Sequence, residues 1–309
     1  MPVTPLGAQG GAGGLSVEVE GRWVPWPAGR DHPAVWSAPD ALVAGAVAWR
    51  PVAPGVEQGE VTLRGGNALW RLRVILVRMD PALLAFRVVV PPRRDDGFSG
   101  RWSVDEAPDD ALVAVNAGQF TGGPWGWLVQ GGVRRQPPGS GALAPGVAFE
   151  AGGRVELVPP DSLDAVGWAQ EGFQSYPTLL EGDGRVPGAL RASGLGVDLT
   201  HRDSRLALGV LRDGRVVLAL TRFVGLGELL EVVPFGPTTP EMAALMGALG
   251  CSRAVLLDGG ISGQLLLRGA GGVERWPGLR KVAAGLVVTP RVRHPSLRRP
   301  AGDRRTPGG

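Results

Sequence analysis

The chain has 309 residues, 44% of them hydrophobic, enough for one large core or two smaller ones. Its 50 glycines and 28 prolines are dispersed between apolar runs, which is a pattern of turns and not of low complexity. The net charge of +3 hides an asymmetry: the segment from Arg291 onward holds six arginines against one aspartate. The body is therefore about −2 and offers no folded basic face, so no nucleic-acid partner is expected.

Cys251 is the only cysteine, which excludes an intramolecular disulfide, and its apolar setting suits an inert core thiol. The opening MPVTPLGAQGGAGG has neither the basic start nor the apolar core of a signal peptide. The longest apolar stretch, near 41–48, is too short for a transmembrane segment. On this reading the chain is cytoplasmic if complete.

In chain order, residues 1–15 read as a flexible leader, and 16–66 as a small N-terminal β segment packed on the main domain. Within it SVEVE and RWVPW form a hairpin carrying Trp23 and Trp26. From Asn67 the runs WRLRVILV, LLAFRVVV and ALVAVN are β-rich and separated by Asp-Pro, Pro-Pro and acidic turns. RLALGVL and RVVLALT flank Asp213-Gly214, an Asp-Gly hairpin signal that calls for positive φ at both central positions. A helix is predicted over 240–249, capped by Thr239, opened by Pro240 and ended by Gly250, with Met242, Leu245, Met246 and Leu249 on one stripe. RAVLLDGG, QLLLRG and VAAGLVV then return to strand. The fold class expected is α+β: a large twisted mixed β-sheet flanked by a few helices, in a single main domain over 67–290, followed by a disordered basic tail, 291–309.

Several chemistries find no support. His32, His201 and His294 are widely separated and lack partners at metal-ligand spacing. Lys281, the only lysine, sits in no phosphate-binding loop, and the Gly-Leu-Gly fragments at 194 and 225 are turns. No organic cofactor and no metal ligand set is expected, although carboxylate and carbonyl ligands for a calcium-like ion remain open.

Three segments place polar residues where apolar strands end: VNAGQF (115–120), SRLALG (204–209) and VLLDGGISG (255–263). In the last, Asp258 precedes Gly259 and Gly260, which allow a sharp turn and close approach of a ligand to main-chain N–H groups. An ordinary Asp-Gly turn is the plain alternative.

Taken in order with VRMDP (77–81), the Gly-Trp-Leu-Val segment with its Gly-Gly turn (126–132), QSYPTLLEGDG (174–184), SRLALGVLRDGRVVL (204–218) and the TTPEMAALMGALGC helix, these segments resemble the phosphodiester glycosidase domain family. That family comprises the uncovering-enzyme-like N-acetylglucosamine-1-phosphodiester alpha-N-acetylglucosaminidases and their bacterial relatives, many of them exported. The chain departs from the family pattern with Leu256 for Asn, Ile261 at the third glycine, Leu206 for Thr, and Thr221-Arg222 where relatives often carry an acidic residue.

The resemblance implies a bacterial hydrolase that cleaves a sugar-1-phosphodiester or related phosphate-linked glycan. Asp258, Arg205 and Asn116 are the catalytic candidates: Asp258 to activate water or stabilise an oxocarbenium-like transition state, Arg205 to grip phosphate oxygens. Gln119, Gln174, Ser175, Gly259, Gly260, Ser262, Trp125, Trp127 and His201 are the substrate-binding candidates, the amides for sugar hydroxyls and the indoles for stacking on a pyranose. Glu171 is the candidate second carboxylate. A noncatalytic glycan or cell-wall-polymer binding module on the same scaffold is the alternative, favoured by a bulky Ile261.

Overall fold

The computed structural model describes residues 14–29, 31–65, 70–92, 100–224 and 233–291. The leader up to residue 13, the Gly-Leu-Gly at 225–227 and the tail from 292 lie outside these. The architecture is α+β, as expected, and differs in two respects: among the described residues the strands divide among three sheets, and their pairings are antiparallel where a mixed sheet was expected.

The largest sheet runs Thr178–Leu180, Cys251–Leu257, Leu206–Leu211, Val216–Phe223, Trp70–Met79, Val56–Gly65, Leu15–Val19, Arg22–Trp26, with Arg50–Ala53 also paired to Val56–Gly65. The N-terminal hairpin forms as its alternation predicts, and turns through Glu20 and Gly21, both at positive φ. It joins the large sheet where Leu15–Val19 pairs with Val56–Gly65, which itself pairs along its whole length with Trp70–Met79.

Alternation gives the large sheet two apolar faces. Leu206, Leu208, Leu218, Leu220, Val255 and Leu257 face one core, shared with the sheet of Leu84–Val89, Val113–Asn116, Leu265–Gly269, Gly272–Trp276 and Gly285–Pro290 and with Leu128, Val147, Phe149 and Phe173 of the third sheet. Ala207, Val217, Ala219, Ala254 and Leu256 face the other core, which is covered by the helix Thr239–Ala248, Trp26 and Trp36.

That helix is buried on all sides and not along one stripe. Its cap is Thr238, one residue earlier than predicted. Glu241, three residues on, completes a capping box with Thr238 that it could not form with Thr239: the Thr238 hydroxyl accepts from Glu241 N, and Thr238 N donates to the Glu241 carboxylate. Arg202 holds the same carboxylate through two 2.7 Å hydrogen bonds. Gly250, at φ +93°, follows the helix end as expected.

The hairpin at 212–215 forms, but only Gly214 takes positive φ. The Asp213 carboxylate accepts from Arg215 N, and the loop closes through Leu211 N to Arg215 O, so a single left-handed glycine suffices. Cys251 is fully buried, and burial pushes its thiol pKa up, consistent with a core position. No helix among the described residues is long and apolar enough to cross a membrane.

Replacing Thr238 with Ala is expected to destabilise the protein by about 1 kcal/mol, read from urea unfolding, because the cap and its reciprocal partner are lost together.

Candidate functional site

The register between Leu206–Leu211 and Cys251–Leu257 aligns Leu206 with Leu257. Continued past the strand ends, it sets Arg205 opposite Asp258 and Asp203 opposite Gly260. Gly260 N donates to Ser204 O at 2.7 Å, extending the ladder into the turn. On the other side Arg205 N donates to Thr221 Oγ1 at 2.7 Å and the Ser204 hydroxyl to Thr221 O at 2.8 Å. Three neighbouring strand ends therefore hold the segment 203–205 rigidly.

The glycines are required by this closeness. A Cβ on Gly259 would lie 2.5 Å from Ser204 O, and one on Gly260, at φ +55°, would lie 2.9 Å from the Asp203 carboxylate. Ile261, next along, is 42% exposed and turns towards solvent.

Two carboxylates lie near each other here, and the neighbour of Asp258 is Asp203 and not Glu171, the second carboxylate expected from the sequence. Burial raises the pKa of Asp258; the Ser262 hydroxyl and Arg280 oppose the rise, and the negative charge of Asp203 adds to it. Burial likewise raises Asp203 against the pull of Arg205, Ser204 N and His201. Asp203 Oδ1 is buried with no hydrogen-bond partner. A buried, unsatisfied acceptor is costly, and this one lies beside a second carboxylate, unlike the unsatisfied ring nitrogen of Trp127 in its apolar cluster. Asp203 was absent from the sequence candidates, yet it shares strand parity with Arg205 two residues later, and that was the available signal.

The candidates separate into two groups. Asp258, Arg205, Gly259, Gly260, Ser262 and His201 meet at these strand ends. His201 is exposed, its Nε2 3.8 Å from Asp203 Oδ2, and its carbonyl accepts from Arg205 Nη2 at 2.8 Å. Arg205 also donates through Nε to Pro237 O at 3.2 Å, so much of its guanidinium is turned to backbone. Asn116 arrives from the adjoining sheet and is fully buried: its Nδ2 donates to Asp258 O at 2.7 Å and its Oδ1 accepts from Gln264 N at 3.0 Å. It clamps the aspartate's backbone and does not present a free amide.

Gln119 reaches Tyr176 O through Nε2 at 3.1 Å on the nearby 174–176 segment. The remaining candidates are engaged with backbone groups or packed neighbours. Gln174 spends its whole amide on Trp127 N, Gly139 N, Gly139 O and Ala144 O, and the Ser175 hydroxyl donates to Leu256 O. Trp127 is fully buried among Val129, Ala148 and Leu163, and Trp125 lies against Gly139, where a Cβ would meet its ring at 2.7 Å. Glu171 is also remote: its carboxylate accepts from Val88 N and Gly131 N, both at 2.9 Å, in the seam between the two smaller sheets. An isolated motif carries no information on which partners its side chains will meet, and here the nearest backbone groups took them.

Clefts exist elsewhere, among them one of about 350 Å³ lined by Arg50, Gln58, Arg73 and Glu274, and one of about 340 Å³ beside Phe149 and Glu171. In the first, Arg50 is already paired to Glu274 and Gln58. Unspent chemistry therefore favours the aspartate pair over cleft volume. Among the described residues, no group of three or more His, Cys, Asp or Glu side chains is disposed to hold a metal ion.

Two aspartates and an arginine at adjoining strand ends of an antiparallel α+β scaffold make a carboxylate-rich candidate site. The family model described as phosphodiester glycosidase matches residues 109–289, more than half of the chain, and the chain belongs to that family. Among solved structures, the zebrafish N-acetylglucosamine-1-phosphodiester alpha-N-acetylglucosaminidase catalytic domain, auto-inhibited by its pro-peptide, aligns with TM-score 0.58 at 15% identity, over 82% of this chain and 87% of that one. A hypothetical protein from Synechocystis aligns with TM-score 0.53 at 16% identity, over 79% of this chain. The match spans 64% of the Synechocystis protein, less than two thirds of its length. At these identities the likeness establishes the fold. No curated protein matches the sequence.

Removing the clamp by Asn116→Ala leaves Asp258 O and Gln264 N buried without partners, and should cost about 3 kcal/mol in chemical denaturation. Asp203→Asn tests the buried charge. A carboxyl whose folded pKa is raised stabilises the fold fully below the ordinary aspartate range and loses that contribution as pH rises through the raised value. The variant should therefore unfold at higher urea than wild type at neutral pH, with the gain vanishing in acid.

Proposed function

We propose that the protein hydrolyses a sugar-1-phosphodiester or related phosphate-linked glycan, with Asp203 and Asp258 as its working carboxylates. The observation that carries this reading is the unpartnered, buried Asp203 Oδ1 at a strand end beside the half-buried Asp258.

Burial disfavours the ionised form of both carboxyls, and the negative charge of Asp203 adds to this at Asp258. The ionised member activates water or stabilises positive charge at the anomeric carbon, and the protonated member donates to the departing oxygen. The departing group is a phosphate monoester with a second pKa of about 6, so it leaves as an anion with little proton assistance. Positioning and charge stabilisation then matter more than acid strength.

Arg205 acts on Asp203, keeping part of the pair's negative charge compensated, while Asn116 and Ser262 fix Asp258. The clamp and the glycine turn hold the reacting groups without side-chain rearrangement, which is the preorganisation such a reaction needs. The noncatalytic alternative draws on Ile261, whose side chain is 42% exposed at the turn.

Incubation with a panel of sugar-1-phosphodiesters should release reducing sugar with a bell-shaped dependence on pH. Asp258→Asn and Asp203→Asn should each lower kcat by about 10²–10⁴ while the far-ultraviolet spectrum is unchanged. Wild-type turnover in either folded variant would remove that aspartate from the mechanism, and a protein inert on the whole panel would sink the hydrolase reading.

A further inference from the structure

The edge of the site beyond Asp258 carries cations that the proposed reaction has not yet used. Arg280 lies with its guanidinium 4.7 Å from the Phe120 ring centroid, and Arg101 lies 5.3 Å from the same ring. Phe120 ends the VNAGQF segment that also supplies Asn116.

The two arginines are held there by backbone. Arg280 N donates to Ile261 O at 3.0 Å, just past the glycine turn, and its carbonyl receives Gln264 Nε2 at 3.4 Å. Gln264 is itself buried and accepts from Val104 N at 2.9 Å through Oε1. Trp102 and Val282 exchange both backbone hydrogen bonds, which carries Arg101 alongside the 280–282 segment. Arg101 Nη1 donates to Gly122 O at 3.2 Å.

Neighbouring cations on this edge are paired: Lys281 with Glu106 at 2.7 Å and Arg275 with Asp105 at 3.4 Å. Among the described residues Arg101 and Arg280 form no salt bridge with a carboxylate. Arg280 is near enough to Asp258 for its charge to favour that carboxylate's ionised form. Two guanidiniums beside one aromatic ring and without carboxylate partners keep N–H donors for an oxyanion.

The geometry points to Arg280 and Arg101 as the subsite for the phosphate of the substrate. In catalysis this role rests on the hydrolase reading above. It places the anionic half of the diester on the Phe120 side of Asp258 and assigns phosphate recognition to these residues in preference to Arg205, whose Nε and Nη2 serve backbone carbonyls.

The test is titration of the full chain with inorganic phosphate by calorimetry at about pH 7 and about 50 mM salt, where screening is weak. Wild type should bind at one site. Arg280→Gln should weaken binding about tenfold or more, the double variant with Arg101→Gln further still, and Arg280→Lys should recover part of the loss. Arg275→Gln should bind as wild type, and all variants should unfold at the same urea concentration. In parallel, Arg280→Gln should raise KM for a sugar-1-phosphodiester about tenfold and leave KM for the nitrophenyl glycoside of the same sugar unchanged. Absence of phosphate binding by wild type, or equal binding by wild type and the double variant, overturns the subsite. Phosphate binding that needs both arginines without turnover of any diester keeps the subsite and sinks the hydrolase reading; turnover with KM indifferent to both arginines does the reverse.

Discussion

Two backbone segments approach so closely at the end of the large sheet that no side chain fits between them. Gly259 lies against Ser204 O and Gly260 against the Asp203 carboxylate, and any Cβ there would overlap what it faces. This contact brings the ends of Leu206–Leu211 and Cys251–Leu257 into one turn, and through it Asp203, Arg205 and Asp258 become neighbours. Burial then follows, and with it the resistance of both carboxyls to ionisation.

The adjoining sheet completes the arrangement. Asn116 ends the strand Val113–Asn116 and ties Asp258 O to Gln264 N, so the two sheets that enclose the main core are joined by polar contacts at the site as well as by apolar packing. Arg222 is buried close by, and donates to Ser204 Oγ and to the carbonyls of Gly263 and Pro277. The chain thus has a cation at the position where the family resemblance anticipated an acid, and that cation stitches the turn to the 276–277 segment. Rigidity supplied by buried amides and a buried guanidinium lets a partly unsatisfied carboxylate persist in a protein of marginal stability.

Local features were legible wherever local chemistry decides them. Asp213-Gly214 closes a hairpin because the turn needs one left-handed residue, and the 239–248 helix begins where a threonine and a glutamate three residues on can exchange hydrogen bonds. The errors were also local in origin: two adjacent threonines compete for the cap, and only the spacing to Glu241 separates them. Site residues were harder. Asp258, Gly259 and Gly260 announce themselves by an apolar strand running into a carboxylate and two glycines, whereas Gln174 and Ser175 are turned to backbone carbonyls and Trp127 is buried among apolar neighbours.

The sequence by itself determined which stretches become strands, where they turn and which family they belong to, because alternation, turn residues and ordered motifs act over a few positions. Tertiary structure alone decided that Asp203 joins Asp258, that Glu171 does not, that Asn116 is a clamp, and that Arg101 and Arg280 share one ring. The reason is physical: these relations depend on strand register and sheet packing between segments 50 to 180 residues apart, and no single segment encodes the partner it will meet.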